Sequence, residues 1–84
     1  MWIIAERFID VRGKKYDMLV NLDSGNKIFI DIYKDQPADN LNLQVWLSSG
    51  KIETRLFTGT EVECIRIIDK YMKKLNAEKV NAWE

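Results

Sequence analysis

One stretch of the chain, residues 58–76, has the periodicity of an amphipathic α-helix, and it limits how the rest can fold. At about 100° per residue, apolar side chains collect on one side of this helix and charged side chains on the other. The apolar side comprises Cys64, Ile65, Ile68, Tyr71, Met72 and Leu75. A stripe this broad favours packing against a β-sheet over the narrow seam of a two-stranded coiled coil.

The two ends of this stretch carry helix-terminating signals. Thr60 and Glu63 have the spacing of a capping box, in which a hydroxyl and a carboxylate satisfy backbone N–H groups of the first turn. Lysines follow near the carbonyl end, and Asn76 is a residue type that adopts the left-handed conformation closing a helix. The predicted helix therefore covers about residues 60–75. Thr58 and Glu61 have the same capping spacing two residues earlier, so the start of the helix is predicted only to within two residues.

The chain before the helix alternates apolar and polar residues in short runs that are separated by turn signals. Three of the intervening turns contain glycine, and the fourth contains the only proline. The predicted strands cover residues 2–11, 15–22, 27–34, 41–47 and 51–57. Because short connections favour pairing between successive strands, we expect an α+β fold, a five-stranded antiparallel meander followed by one C-terminal helix packed on one face.

The alternation assigns each strand residue to one of two faces. The aliphatic face, which the helix covers, takes Ile28, Ile30, Ile32, Leu41, Leu43, Val45, Leu47, Ile52, Thr54 and Leu56. The opposite face takes Leu19 with four aromatic residues, Phe29, Tyr33, Trp46 and Phe57. Lys27, Arg55, Asp31 and Glu53 share that second face. Four aromatic side chains on one sheet face exceed what solvation favours.

Composition restricts the classes of function. Eighty-four residues predict one small domain, residues 1–84. The 13 basic residues balance the 13 acidic ones, so binding to nucleic acid or to a membrane would require a local basic patch on this protein. One cysteine and no histidine exclude a disulfide framework within one chain and remove the commonest general base. We therefore expect a non-enzymatic protein without metal or cofactor. Charge after five residues is too early for a signal peptide, which favours a cytoplasmic location.

The aromatic face has three possible explanations. It binds another protein or a second copy of the chain, since aromatic anchors within a polar rim are typical of interfaces. Alternatively, it stacks single-stranded DNA or RNA bases while Lys27 and Arg55 contact phosphates. In the third explanation the tail, residues 77–84 with Val80 and Trp83, covers it.

Charge favours the protein-binding explanation, because nucleic-acid platforms usually carry a basic excess and this face is nearly neutral. The sequence thus predicts a small interaction module, a regulator or inhibitor that is homodimeric and acts on a macromolecular partner, with no role at a membrane. The predicted partner-binding residues are Phe29, Tyr33, Trp46, Phe57, Lys27 and Arg55. Single-stranded nucleic-acid binding through the same residues is the alternative.

Overall fold

A computed structural model of the chain describes residues 1–9, 13–32 and 42–79. It confirms the predicted α+β fold, with five antiparallel strands and a helix after them. The elements in chain order are β1 Trp2–Ile9, β2 Lys14–Asn21, β3 Lys27–Ile32, β4 Leu43–Ser49, β5 Ile52–Gly59, α1 Glu61–Lys74 and β6 Glu78–Lys79. The predicted strand ends at 10–11, 33–34 and 41 lie outside the described residues.

The strands form one sheet in the order β5-β4-β3-β2-β1-β6. The first five make the expected meander. The two-residue strand β6 was not predicted, because two residues are too few to show alternation, and it pairs parallel to β1 at Ile3 and Ile4. Val80 and Trp83, which follow it, lie outside the described residues.

Helix α1 connects opposite edges of the sheet, since it follows β5 at one edge and precedes β6 at the other. Its 14 residues give a length of about 21 Å. Five strand spacings of about 4.8 Å separate the two edges by about 24 Å. The length of the helix with its terminal turn is thus close to the width of the sheet, and α1 contacts β2, β3, β4 and β5 on the face that it covers. No helix in residues 1–9, 13–32 and 42–79 has the length and apolar character needed to span a bilayer.

Both helix ends match their sequence signals. Thr60 is the N-cap, where its hydroxyl accepts from the Glu63 N–H at 3.3 Å and its own N–H donates to Glu63 Oε1 at 3.0 Å. At the other end Asn76 has φ 51° and its N–H donates to the Lys73 carbonyl, while the N–H of the next residue donates to the Met72 carbonyl at 2.9 Å. These two bonds form a Schellman motif, which satisfies terminal carbonyls and turns the chain toward β6.

The core lies between α1 and one face of the sheet. Ile28 and Ile30 of β3 stand opposite Leu47 and Val45 of β4, so the predicted alternation in these two central strands is confirmed. The buried residues of this core are Ile9, Tyr16, Leu19, Ile28, Ile30, Leu43, Val45, Cys64 and Ile68. Ile65 was expected on the packed side of the helix, yet it is 39% exposed.

The predicted face of Leu19 was wrong. Leu19 stands opposite Ile28, is 0% exposed and belongs to the helix-covered core. Leu19 is the only apolar residue in an otherwise polar alternating set of β2, so the pattern of this strand favours burial of the other set. Pairing with Ile28 of β3 reverses that assignment. Tyr16 is also buried in this core, although it lies three residues before Leu19 and regular alternation would place it on the opposite face. Only Leu19 and Val20 of β2 pair with β3, so the strands diverge toward Tyr16.

The predicted face of Phe57 was also wrong. The ladder between β4 and β5 shifts register between Val45 and Trp46, so that Phe57 stands opposite Val45 while Arg55 stands opposite Trp46. The extra residue, Leu56, reverses the alternation, as a β-bulge does. Phe57 therefore lies with the core residues on the helix-covered side.

Candidate interaction surface

We call the sheet face opposite α1 the outer face. Its centre is a row of cross-strand neighbours in which Phe29 of β3, Trp46 of β4 and Arg55 of β5 stand side by side. The adjacent row contains Lys27, Ser48 and Glu53. Side chains directly opposite in antiparallel strands lie about 4.5–5.5 Å apart at Cβ, so each row forms a continuous strip.

Phe29 is covered by an arginine from β1. The Arg7 guanidinium carbon lies 4.6 Å from the centroid of the Phe29 ring, and Phe29 is only 8% exposed. Arg7 Nη2 donates to Asp31 Oδ2 at 3.1 Å, and the other carboxylate oxygen of Asp31 accepts from the Ile32 N–H at 2.8 Å. The ion pair holds the guanidinium over the ring, where cation–π attraction adds to the contact. Phe29 thus packs beneath the Arg7 guanidinium and is itself nearly inaccessible to a partner.

Trp46 is held by a polar partner. Its indole Nε1 donates to Gln44 Oε1 at 3.1 Å, and Gln44 is 3% exposed. Trp46 is half-buried, so part of the residue remains accessible. A hydrogen bond at the pyrrole edge restricts the rotation of the ring and presents it in one orientation.

Charged side chains of both signs surround the two aromatic rings. Lys27, Glu53 and Arg55 are exposed, and the Arg7–Asp31 pair is about one-third exposed on each side, at 38% and 34%. Three cations and two anions leave this surface close to neutral. Arg7 Nε is buried without a hydrogen-bond partner, so one donor of the surface is unsatisfied.

The structure brings together four of the six residues that the sequence nominates. Lys27, Phe29, Trp46 and Arg55 share the outer face, Phe57 lies on the helix-covered side, and Tyr33 is outside the described residues. Arg7 and Gln44, which orient the aromatic rings, were missed. Gln44 lies two residues before Trp46 in the same strand and therefore on the same face, and this spacing could have indicated it. The position of Arg7 over β3 could be known only from the full strand order.

A cavity of about 160 Å³ lies between β2 and α1 on the other side of the molecule. Its lining consists of Lys15, Tyr16, Asp17, Ile30, Ile65, Ile68 and Asp69. The Tyr16 hydroxyl donates to Glu61 Oε2 beside the cavity, and Lys14 also pairs with this carboxylate, at 3.1 Å. These bonds tie the β1–β2 hairpin to the start of the helix, which gives them a structural role.

Acidic, histidine and cysteine side chains do not gather into a metal site anywhere in residues 1–9, 13–32 and 42–79. Cys64 is buried in the core, and its Sγ lies 3.9 Å from the Gly59 carbonyl oxygen. Burial raises the pKa of the Cys64 thiol. Because the thiolate is the nucleophile, a buried thiol with a raised pKa is unsuited to covalent chemistry.

Searches of known protein families, of curated proteins and of solved structures give no match for this chain.

Proposed function

We propose that this protein is a non-enzymatic interaction module that binds a protein partner through the outer face and thereby regulates or inhibits it. The supporting observation is the half-buried Trp46, oriented by Gln44, packed beside Phe29 and surrounded by charges of both signs. A pre-oriented aromatic anchor within a polar rim is the arrangement that carries most binding energy at protein interfaces.

Charge supports a protein partner over nucleic acid. The guanidinium of Arg7 is paired with Asp31, and Glu53 lies two residues from Arg55 and in the same cross-strand row as Lys27. Binding to a phosphate backbone requires several unopposed cations. A face that alternates in sign instead suits a protein surface with complementary charges.

Affinity capture from the native host tests this proposal. Wild type is compared with Trp46→Ala and with the control Phe8→Ala. Phe8 is also an exposed aromatic residue, at 55%, but it follows Arg7 directly in β1 and therefore points away from the face that carries Arg7. We expect a specific partner with wild type and with the control, and a recovery lower by about tenfold or more with Trp46→Ala. Equal recovery of the same partner by all three proteins would contradict the proposal.

Single-stranded nucleic acid is the second candidate, because Lys27 and Arg55 occupy rows that flank or include Trp46. Stacking of bases on the indole with phosphates on these two cations would use the same surface. Fluorescence anisotropy with a labelled single-stranded oligonucleotide separates the two candidates. Binding that weakens with salt and with Lys27→Glu would favour the nucleic acid, whereas no binding at low salt removes it.

A cytoplasmic location is part of the proposal. It is consistent with a fold that uses no disulfide and therefore does not require an oxidising compartment, since the single cysteine is free and buried.

A further inference from the structure

The two edges of the sheet differ in how they end. At one edge β6 pairs with Ile3 and Ile4 of β1. At the other edge β5 is eight residues long, and no strand in residues 1–9, 13–32 or 42–79 pairs with its outer side. Ile52 is 70% exposed, and the three residues after it are exposed as well. An open edge presents unpaired backbone donors and acceptors that another strand can use.

The β5 edge is suited to pairing with itself, because Glu53 and Arg55 are two residues apart and lie on the same face. Two copies of β5 can lie edge to edge and antiparallel, related by a two-fold axis perpendicular to the sheet. With the axis at Thr54, Glu53 of each copy stands opposite Arg55 of the other. With the axis at Glu53 or at Arg55, a like charge stands opposite itself, which is unfavourable in a cross-strand pair.

The same register also buries apolar surface on the opposite side of the sheet. Leu56 is the bulge residue, so regular alternation along β5 ends there, and at this limit Ile52 of each copy stands opposite Leu56 of the other. Leu56 packs against the helix-covered core, so the highly exposed Ile52 would extend the core of the second copy. A pairing shifted by one residue, for example Ile52 opposite Arg55, would bring aliphatic and charged side chains onto the same face, and alternation therefore disfavours it.

We propose that two copies of this chain pair through β5 in this register, centred on Thr54, to form one continuous sheet. Backbone hydrogen bonds and the two Ile52–Leu56 contacts supply affinity, and the two Glu53–Arg55 pairs select the register. Closed two-fold pairing also uses up the exposed edge.

Pairing of this kind joins the two outer faces. Arg55 stands beside Trp46 within each copy, so each row continues from Trp46 through Arg55 into Glu53 of the second copy. Both helices remain on the opposite side of the sheet. The use of this joined face to bind a partner rests on the proposed function, whereas the pairing itself does not.

Charge exchange tests the register. Sedimentation equilibrium is expected to show a dimer for wild type, and a dissociation constant raised by about tenfold for Glu53→Arg and for Arg55→Glu, because each places like charges opposite in both symmetric pairs. The double variant Glu53→Arg/Arg55→Glu restores opposite charges and is expected to recover the dimer. Lys70→Glu, on the exposed side of the helix, is the control and leaves it unchanged.

Cross-linking tests the axis directly. Opposite residues of antiparallel strands have Cα atoms about 4.5–5.5 Å apart, within disulfide range. Under mild oxidation Thr54→Cys should form a covalent dimer, and Thr58→Cys, elsewhere on the same strand, should not. A wild type that remains monomeric, a double variant that stays dissociated, or equal cross-linking at both positions would overturn the proposal.

The measurements use the protein alone, which separates this inference from the proposed function. Loss of partner recovery in Trp46→Ala with an intact dimer supports both proposals. An intact dimer with undiminished recovery in that variant contradicts only the outer-face function, and a monomeric wild type that still recovers the partner contradicts only the pairing.

Discussion

The two faces of the sheet are built from different interactions. On the helix-covered face, aliphatic residues of β3 and β4 pack against Cys64 and Ile68 of α1 and are almost wholly removed from water. On the outer face, the aromatic rings are held by directional contacts, with Arg7 over Phe29 and Gln44 on the indole of Trp46. Non-directional burial stabilises the fold, whereas directional contacts orient side chains that remain partly accessible.

The largest expected difference between the faces is in the loss of stability when a valine on each face is replaced by alanine. Val45 is 0% exposed on the helix-covered face, and Val20 is partly exposed in a row with Ile3 and Lys27 on the outer face. Val45→Ala should lower the free energy of unfolding by about 2–3 kcal/mol, since it removes two buried carbons and leaves a cavity. Val20→Ala should cost less than about 1 kcal/mol.

Urea denaturation of the three proteins measures both effects, with the slope of each transition showing whether the unfolded state has changed. Equal losses at Val45 and Val20 would mean that the outer face is as tightly packed as the core. The distinction between the two faces would then fail.

A smaller effect is expected from the guanidinium on the outer face. Arg7→Met keeps an unbranched apolar stem but removes the ion pair with Asp31 and the cation–π contact with Phe29. Because the pair is about one-third exposed, we expect a loss of only about 1 kcal/mol. Lys15→Met is the control, since its 3.9 Å pair with Glu6 is about two-thirds exposed on each side. Indistinguishable urea midpoints for the two variants would show that Arg7 does not stabilise the outer face.

The smallest effect concerns pH and the start of the helix that covers the inner face. Hydrogen bonds from the Thr60 backbone N–H, and then from its hydroxyl, lower the pKa of Glu63 from 4.5. A lowered folded-state pKa stabilises the protein at pH values above 4.5, and this stabilisation is lost as pH falls through the folded-state pKa.

Glu63→Gln should therefore flatten the acid limb of a plot of thermal midpoint against pH. Thr60→Ala, which keeps the backbone N–H, should retain part of the dependence and lose about 1 kcal/mol at neutral pH. Superimposable acid limbs for wild type and Glu63→Gln would exclude this contribution of the capping box.

Several features of the fold were predictable because they depend on residues close in sequence. The period of α1, the capping pair Thr60 and Glu63, and the left-handed Asn76 each involve contacts within a few residues. The alternation of β3 and β4 was equally clear, since only one of the two sets in each strand is uniformly aliphatic. Sequential pairing of short strands then led to the meander.

The candidate surface was only partly predictable. Phe57 was misplaced because a single extra residue in β5 reverses its face, and a bulge has no distinct local pattern in this strand. Leu19 was misplaced because it is the only apolar residue in an otherwise polar alternating set of β2, and only its pairing with Ile28 of β3 shows that it is buried. Trp46 and Phe29 were assigned to the outer face by alternation alone, and this assignment is correct because the ladder between β3 and β4 is regular.

Local periodicity was thus sufficient for the class of fold, the order of its first five strands and the helix ends, because hydrogen bonds and side-chain period act between near neighbours in the chain. Long-range packing alone decided the remainder. The pairing of β6 with β1 closes one edge and leaves β5 open, and the position of Arg7 over Phe29 joins residues 22 apart in the chain. Such contacts depend on strand register and sheet order, which become defined only when the whole core assembles.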